Sequence, residues 1–241
     1  KYPWPPESSP VDFRHFDTVA AIIPEGVKIV GGVAAGPYEW VSMMMGVMGL
    51  SYALVDDPEL VRMMFEKVGG LHRSGARQIA SMDAVGAVRQ GDDLGFKTST
   101  FLSPGVLREH VFPIYRDMAA AAHECGKPFI LHSCGNLAEV YDDLIDFCGI
   151  DAKHSFEDAI MPVADFKERY GSRITALGGI DVDAICRKSP GELRRHARRA
   201  VEDCFSDGYW AAGTGNSLPD YIPVENYMVV LEEAAAVVGG M

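Results

Sequence analysis

Six times along this chain a short apolar run gives way to a longer segment with helical spacing. That alternation is the strongest constraint on the fold. Strands separated by helices are joined by crossovers and therefore lie parallel in a sheet. The predicted strands are 27–33, 84–89, 128–132, 150–154, 174–177 and 209–212. The predicted helices cover 38–48, 58–80, 104–125, 137–147, 161–170, 190–205 and 224–238. Asp57 before Pro58 reads as a cap followed by proline in the first helical position. Ser189 with Glu192 reads as a capping box. Pro113 is expected to kink its helix, because proline has no N–H and its ring crowds the preceding turn.

No dinucleotide fingerprint follows the first strand, since VGGVAAGPYEW lacks the required glycine spacing. Instead, polar and ligand-type residues recur at the C-terminal end of strand after strand. They are Asp92 and Asp93, His132 and Cys134, His154, Asp181, and Thr214 with Asn216. An open doubly wound sheet gathers such residues at one switch point. A TIM barrel spreads them over all its strand ends. The expected fold class is therefore α/β, a TIM-type (β/α) barrel. A closed barrel has eight units, so the six visible here predict that the first one or two βα units are lacking. The chain opens on Lys1 with the Pro-rich KYPWPPESSP. Residues 1–26 are thus expected to be an irregular lead-in, residues 27–241 the barrel domain, and the chain a fragment of a longer protein.

With 241 residues, one domain is favoured over two. A net charge of −12 argues against nucleic acid or an anionic membrane as partner. No apolar run approaches a membrane span, and no signal peptide is visible. The five cysteines, Cys125, Cys134, Cys148, Cys186 and Cys204, are odd in number and scattered, which reads as a reduced, cytoplasmic protein. Four of them look structural.

The exception lies in KPFILHSCGN, residues 127–136. Residues i and i+2 of a strand share a face, so His132 and Cys134 should project together. A soft thiolate beside an imidazole is a zinc-type ligand pair, although a buried cysteine and a satisfied strand-end histidine would give the same letters. Only one of the adjacent Asp92 and Asp93 can face the barrel axis. It would bind metal or substrate there, or else cap the loop. His154 reads as a substrate contact, a spare ligand, or a histidine bonded to a neighbouring loop. Asp181 fits a helix cap or a substrate-binding acid, and Asn216 a substrate contact or a turn former. The cluster Met43, Met44, Met45 and Met48 suits either core packing or an adaptable binding surface. Arg194, Arg195, Arg198 and Arg199 read as a solvated helix face. His72, His110, His123 and His196 fall in helical patterns.

The segments VGGVAAGPYEW, DDPELVRMMFEKV, GDDLG, SPGVLREHVFP, GKPFILHSCGN, LGGID and GTGNSLPDYIPVEN, in that order, resemble the uroporphyrinogen decarboxylase superfamily. This TIM-barrel group also holds corrinoid-linked methyltransferases. The methyltransferase branch is similar at HSCGN. The resemblance implies a zinc-dependent methyltransferase that moves a methyl group between a small methylated substrate and a corrinoid protein or thiol. It implies His132 and Cys134 as metal ligands and Asp93 and His154 as catalytic residues. Asp92, Asp181, Thr214 and Asn216 are then the substrate-binding residues. The branch's third ligand is a cysteine near the last strand end, where this chain has Thr214. The other reading the resemblance offers is a porphyrin-forming uroporphyrinogen decarboxylase. That branch carries a tyrosine near the position of Met43 and a histidine in the last strand-end loop, and this chain has neither. A third reading is a non-catalytic barrel fragment acting as an assembly partner, since unpaired strand edges call for a second chain. A homo-oligomer is expected as an option on either reading.

Overall fold

The computed structural model describes residues 4–6, 12–33, 35–205 and 208–239. Residues 1–3 and 7–11 of the irregular lead-in expected over residues 1–26 lie outside them. Where the lead-in is described it is not wholly irregular, because Arg14–Ala20 form helix α1.

The α/β expectation holds. Six strands form a parallel sheet in chain order, and helices alternate with them. The described residues fall into two compact units. The first comprises the chain up to Leu94 together with Thr100–His132 and Leu137–Asp151. It holds β1 (Ile29–Gly31), α2 (Pro37–Met45), α3 (Val47–Asp56), α4 (Pro58–Ala80), β2 (Val85–Gly91), α5 (Pro104–Val106), α6 (Phe112–Glu124) and β3 (Phe129–His132). Val30 of β1 pairs with Ala87 of β2, and Val88 of β2 with Phe129 of β3. Its core is built on one apolar stripe of α4, with Val61, Phe65, Val68 and Ile79 all buried, and on Phe112, Tyr115 and Met118 of α6, which packs against α4. Spacings of three, four and seven put such residues on one helix face.

The second unit comprises Gly95–Ser99, Ser133–Asn136 and the chain from Ala152 onward. It holds β4 (Ala152–His154), α7 (Val163–Tyr170), β5 (Thr175–Leu177), α8 (Val182–Arg187), α9 (Pro190–Phe205), β6 (Trp210–Ala211) and α10 (Val224–Gly239). Ala176 of β5 pairs with Trp210 of β6. Ile180, Ile185, Leu193, Ala197, Ile222, Val229 and Val230 form a buried cluster among α8, α9 and α10.

Four local differences from the predicted elements have physical reasons. The helix expected over 38–48 breaks at Gly46, whose φ of 73° lies outside the helical range, and α3 continues beyond it. The long helix after Ser103 does not simply kink at Pro113. It carries a π-helical turn, Leu107–Val111, immediately before Phe112 and Pro113. That turn shifts the hydrogen-bond ladder where the proline cannot donate. The helix expected over 137–147 is shortened to 141–147, most of it a second π-helical turn, Asp143–Phe147. A short helix, α8, stands where only a loop was expected, because Asp181 caps it by accepting from Asp183 N–H at 2.7 Å. At the other helix starts the Asp57 cap forms, as does the Glu192 half of the Ser189 capping box. Asp57 Oδ1 accepts from Leu60 N–H at 3.0 Å, and Glu192 accepts from Ser189 N–H at 3.1 Å.

Candidate metal-binding site at the strand ends

The apolar run 128–131 is a strand because its residues are buried on alternating sides and paired to β2. It ends where Gly135 takes a φ of 86°, a left-handed conformation that glycine adopts at little cost. Gly135 also permits a close approach. A Cβ there would lie 2.1 Å from the carbonyl carbon of Gly95. Two backbone hydrogen bonds tie the same loops together, Gly95 N–H to Cys134 O at 3.2 Å and Asn136 N–H to Phe96 O at 2.8 Å.

At this strand end Asp93, His132 and Cys134 each present one ligand atom, and these atoms lie within 4.8 Å of one another. The His132 Nε2 to Asp93 Oδ1 distance is 3.7 Å. A carboxylate oxygen, an imidazole nitrogen and a sulfur at these separations suit a tetrahedral zinc ion, with ligand bonds of ~2.0–2.3 Å and a fourth position open to substrate. His132 is the last residue of β3, and Cys134 follows it two residues beyond the strand end.

In the second unit the Cys134 sulfur accepts from Asn216 Nδ2 at 3.3 Å and from Ser155 Oγ at 3.4 Å. Two donors aimed at one sulfur fix its orientation, and the thiolate is the form that ligates a metal. Lys153 also acts electrostatically on Cys134. It is buried on β4, with its Nζ bonded to Ser155 O and 4.2 Å from the Phe156 ring centroid. Burial pushes the Lys153 ammonium down to about 7, against the pull of Cys134 and Glu157. Sequence reasoning missed both Lys153 and Ser155. A lysine inside the apolar register of β4 was the available signal. The serine carried none.

His154 Nε2 lies 3.2 Å from Thr214 O. A carbonyl oxygen only accepts, so Nε2 carries the proton. The Thr214 hydroxyl donates to Asn216 O at 2.7 Å. Thr214 therefore shapes the loop that presents Asn216 to the sulfur, in the segment where the resemblance would place a third cysteine.

Asp92 and Asp181, both expected among substrate-binding residues, are placed otherwise. Asp92 is fully buried. Its carboxylate accepts from Tyr38 N–H at 3.0 Å, from Glu39 N–H at 2.9 Å and from the Tyr115 hydroxyl at 2.6 Å. It thus holds the N-terminus of α2, where backbone amides lack helical partners. Burial pushes Asp92 up to about 7, opposed by those three donors. Gly36 makes the arrangement possible, because a Cβ there would fall 2.0 Å from Asp92 Cγ. The GPYEW motif is therefore a mount for a buried aspartate. Asp181 engages both of its oxygens with backbone amides, Oδ1 from Asp183 and Oδ2 from Asp158, each at 2.7 Å. It is a loop and helix cap, the first of the two roles its sequence context allowed.

None of the five cysteines is in a disulfide. Cys148 and Cys204 are buried, Cys186 is half-buried, and Cys125 is exposed at the end of α6. Among the described residues no helix is long and apolar enough to cross a membrane.

The family model for uroporphyrinogen decarboxylase (URO-D) matches residues 13–237. No match is found among curated proteins. Among solved structures, a methyltransferase from Methanosarcina mazei is similar with a TM-score of 0.72 and 19% sequence identity. The match covers 91% of this chain and 61% of that one, so the chain spans less than two thirds of that structure's length. At this identity the likeness establishes the fold, a parallel TIM-barrel-like α/β architecture.

Proposed function

The chain belongs to the uroporphyrinogen decarboxylase family, and from that premise we propose that it is part of a zinc-dependent methyltransferase. The observation that carries this reading is the convergence of Asp93, His132 and Cys134 ligand atoms within 4.8 Å. The name of the Methanosarcina mazei methyltransferase supports the reading. The reaction moves a methyl group between a small methylated substrate and a corrinoid protein or a thiol.

His132, Cys134 and Asp93 would hold the metal. Zinc bound there would supply a Lewis acid that keeps an incoming thiol as thiolate, the form that attacks a methyl group. This chain's own residues do the rest. Asn216 and Ser155 orient the Cys134 sulfur through their hydrogen bonds. His154 is held in one tautomer by Thr214 O. In this reading His154 serves as the proton acceptor for substrate. Lys153 places a cation of tunable charge beside the sulfur.

The test is zinc content by elemental analysis of protein purified without chelator, for the parent chain and for Cys134→Ala. The expected result is about one zinc per chain, lost in the variant. Well-folded parent protein without zinc, together with loss of carboxylate from uroporphyrinogen, would replace this reading with the decarboxylase one.

A further inference from the structure

Glu39 is the third residue of α2, and its Oε2 accepts from the Gly36 N–H at 3.1 Å. That bond is one half of a capping box and would by itself explain a glutamate here. The same carboxylate accepts a second amide, the N–H of Asp93 just beyond β2. A helix cap has no need of that bond. Asp92, the residue before, returns the contact, because its Oδ1 accepts from the Glu39 N–H at 2.9 Å. The start of α2 and the end of β2 are therefore clasped twice, in opposite directions, through consecutive aspartates.

Asp93 needs such a hold. Its side chain is 43% exposed, so packing does little to fix where the carboxylate sits. A ligand atom must nonetheless be held to within ~0.5 Å of its productive position. The neighbouring amides are fixed by carbonyls of residues that carry the other ligands. Asp92 N–H donates to His132 O at 2.9 Å, and Gly95 N–H to Cys134 O at 3.2 Å. The amide of Asp93 goes to Glu39 instead. We propose that Glu39 is a positioning residue for the metal, fixing the Asp93 backbone through its amide and thereby the place of the Asp93 carboxylate. The inference rests on the reading of Asp93 as a metal ligand.

The choice of glutamate points the same way. Burial pushes the Glu39 carboxyl above its ordinary value and the nearby Asp93 charge adds to this, opposed by the Gly36 and Asp93 amides and by Arg89. Glutamine also serves in a capping box and would carry no such repulsion. Two carboxylates side by side repel, and a cation bound at Asp93 relieves both.

The test is the zinc affinity of the 241-residue chain, by competition with a chromophoric chelator, for the parent, Glu39→Ala, Glu39→Gln, Asp93→Ala and the double variant Glu39→Ala/Asp93→Ala. Glu39→Ala should weaken zinc binding ~10–100-fold. Glu39→Gln keeps an acceptor for both amides and should recover most of that loss. In the Asp93→Ala background Glu39→Ala should make no further difference, because Glu39 acts through Asp93. A residue that only caps α2 would lower the unfolding midpoint and leave the zinc affinity of folded protein unchanged, and that result overturns the proposal. So does Glu39→Gln binding as weakly as Glu39→Ala, which would make charge the cause. Additive losses for Glu39→Ala and Asp93→Ala overturn it too, since Glu39 would then act on the metal by a separate route. A parent chain that binds no zinc overturns the metal reading and this inference together, whereas zinc-binding parent and Glu39→Ala of equal affinity overturn this inference alone. If Glu39→Ala does not fold, Glu39→Asp, whose carboxylate is drawn back by one methylene, is measured in its place with the same expectation.

Discussion

Tyr115 donates its hydroxyl proton to Asp92 at 2.6 Å inside the first unit, and both side chains are fully buried. The contact links α6 to the end of β2, and through the other Asp92 acceptor bonds to the start of α2. Removing one partner of a buried, charge-assisted hydrogen bond leaves the other unsatisfied. Tyr115→Phe should lower unfolding stability by about 1.5–3 kcal/mol. Asp92→Ala should lower it further, since it strands two amides as well as the hydroxyl. Urea unfolding measures both. A Tyr115→Phe midpoint equal to that of the parent would show that the bond contributes nothing net.

Gly36 touches the same carboxylate. With a Cβ falling 2.0 Å from Asp92 Cγ, Gly36→Ala cannot be accommodated by a side-chain rotation alone. The expected loss is about 1–3 kcal/mol from overpacking. It should be non-additive with Asp92→Gly, because the clash includes Asp92 Cβ at 2.1 Å and disappears only when the whole side chain does. A double-mutant cycle reads this directly, and strict additivity would contradict it.

Asn216 and Ser155 hold the Cys134 sulfur. Groups that orient a ligand change metal affinity by ~10–100-fold when removed. Asn216→Ala and Ser155→Ala should each weaken zinc binding by that factor, measured by competition with a chromophoric chelator. Affinity unchanged in both variants would mean that the sulfur is positioned by its backbone alone.

Glu233 on α10 is 1% exposed and accepts from Arg194 at 2.6 Å and Arg198 at 2.7 Å, both on α9. The two guanidiniums, Arg198 foremost, hold its carboxyl below its ordinary value of 4.5. A carboxyl lowered in the folded state binds fewer protons there than in the unfolded chain. Its stabilisation is therefore present above the unfolded value and disappears as pH falls through the folded one. Below about pH 4.5, the parent should lose thermal stability more steeply than Glu233→Gln. Parallel melting curves for the two proteins would refute this.

Much of the fold was legible because period and punctuation coincided. Asp57-Pro58 marks a helix start whose cap forms as read, Glu192 accepts from the Ser189 amide as one half of the expected capping box, and β3 sits within one residue of its predicted bounds. Strand alternation led to the pairing of His132 with Cys134, although β3 ends at His132 and Cys134 sits two residues beyond it. What was not legible depends on contacts distant in sequence. Nothing near Asp92 reveals that Tyr115, 23 residues on, and the amides of α2 will enclose it. Nothing near Cys134 reveals that Asn216, 82 residues on, will reach its sulfur. The π-helical turn before Pro113 was invisible for a different reason, since the apolar pattern fixes which residues face inward but not how the ladder between them is spaced.

The close approach of Gly135 to Gly95 has a thermodynamic consequence. The loops carrying Cys134 and Phe96 already meet backbone to backbone, joined by amide hydrogen bonds that need no ion. A metal arriving at Cys134 would not have to assemble the peptide that holds it, so little conformational entropy remains to be lost on binding. Uptake would then run at the pace of the ion shedding its own water, and chelation would leave the mount standing and ready to be refilled.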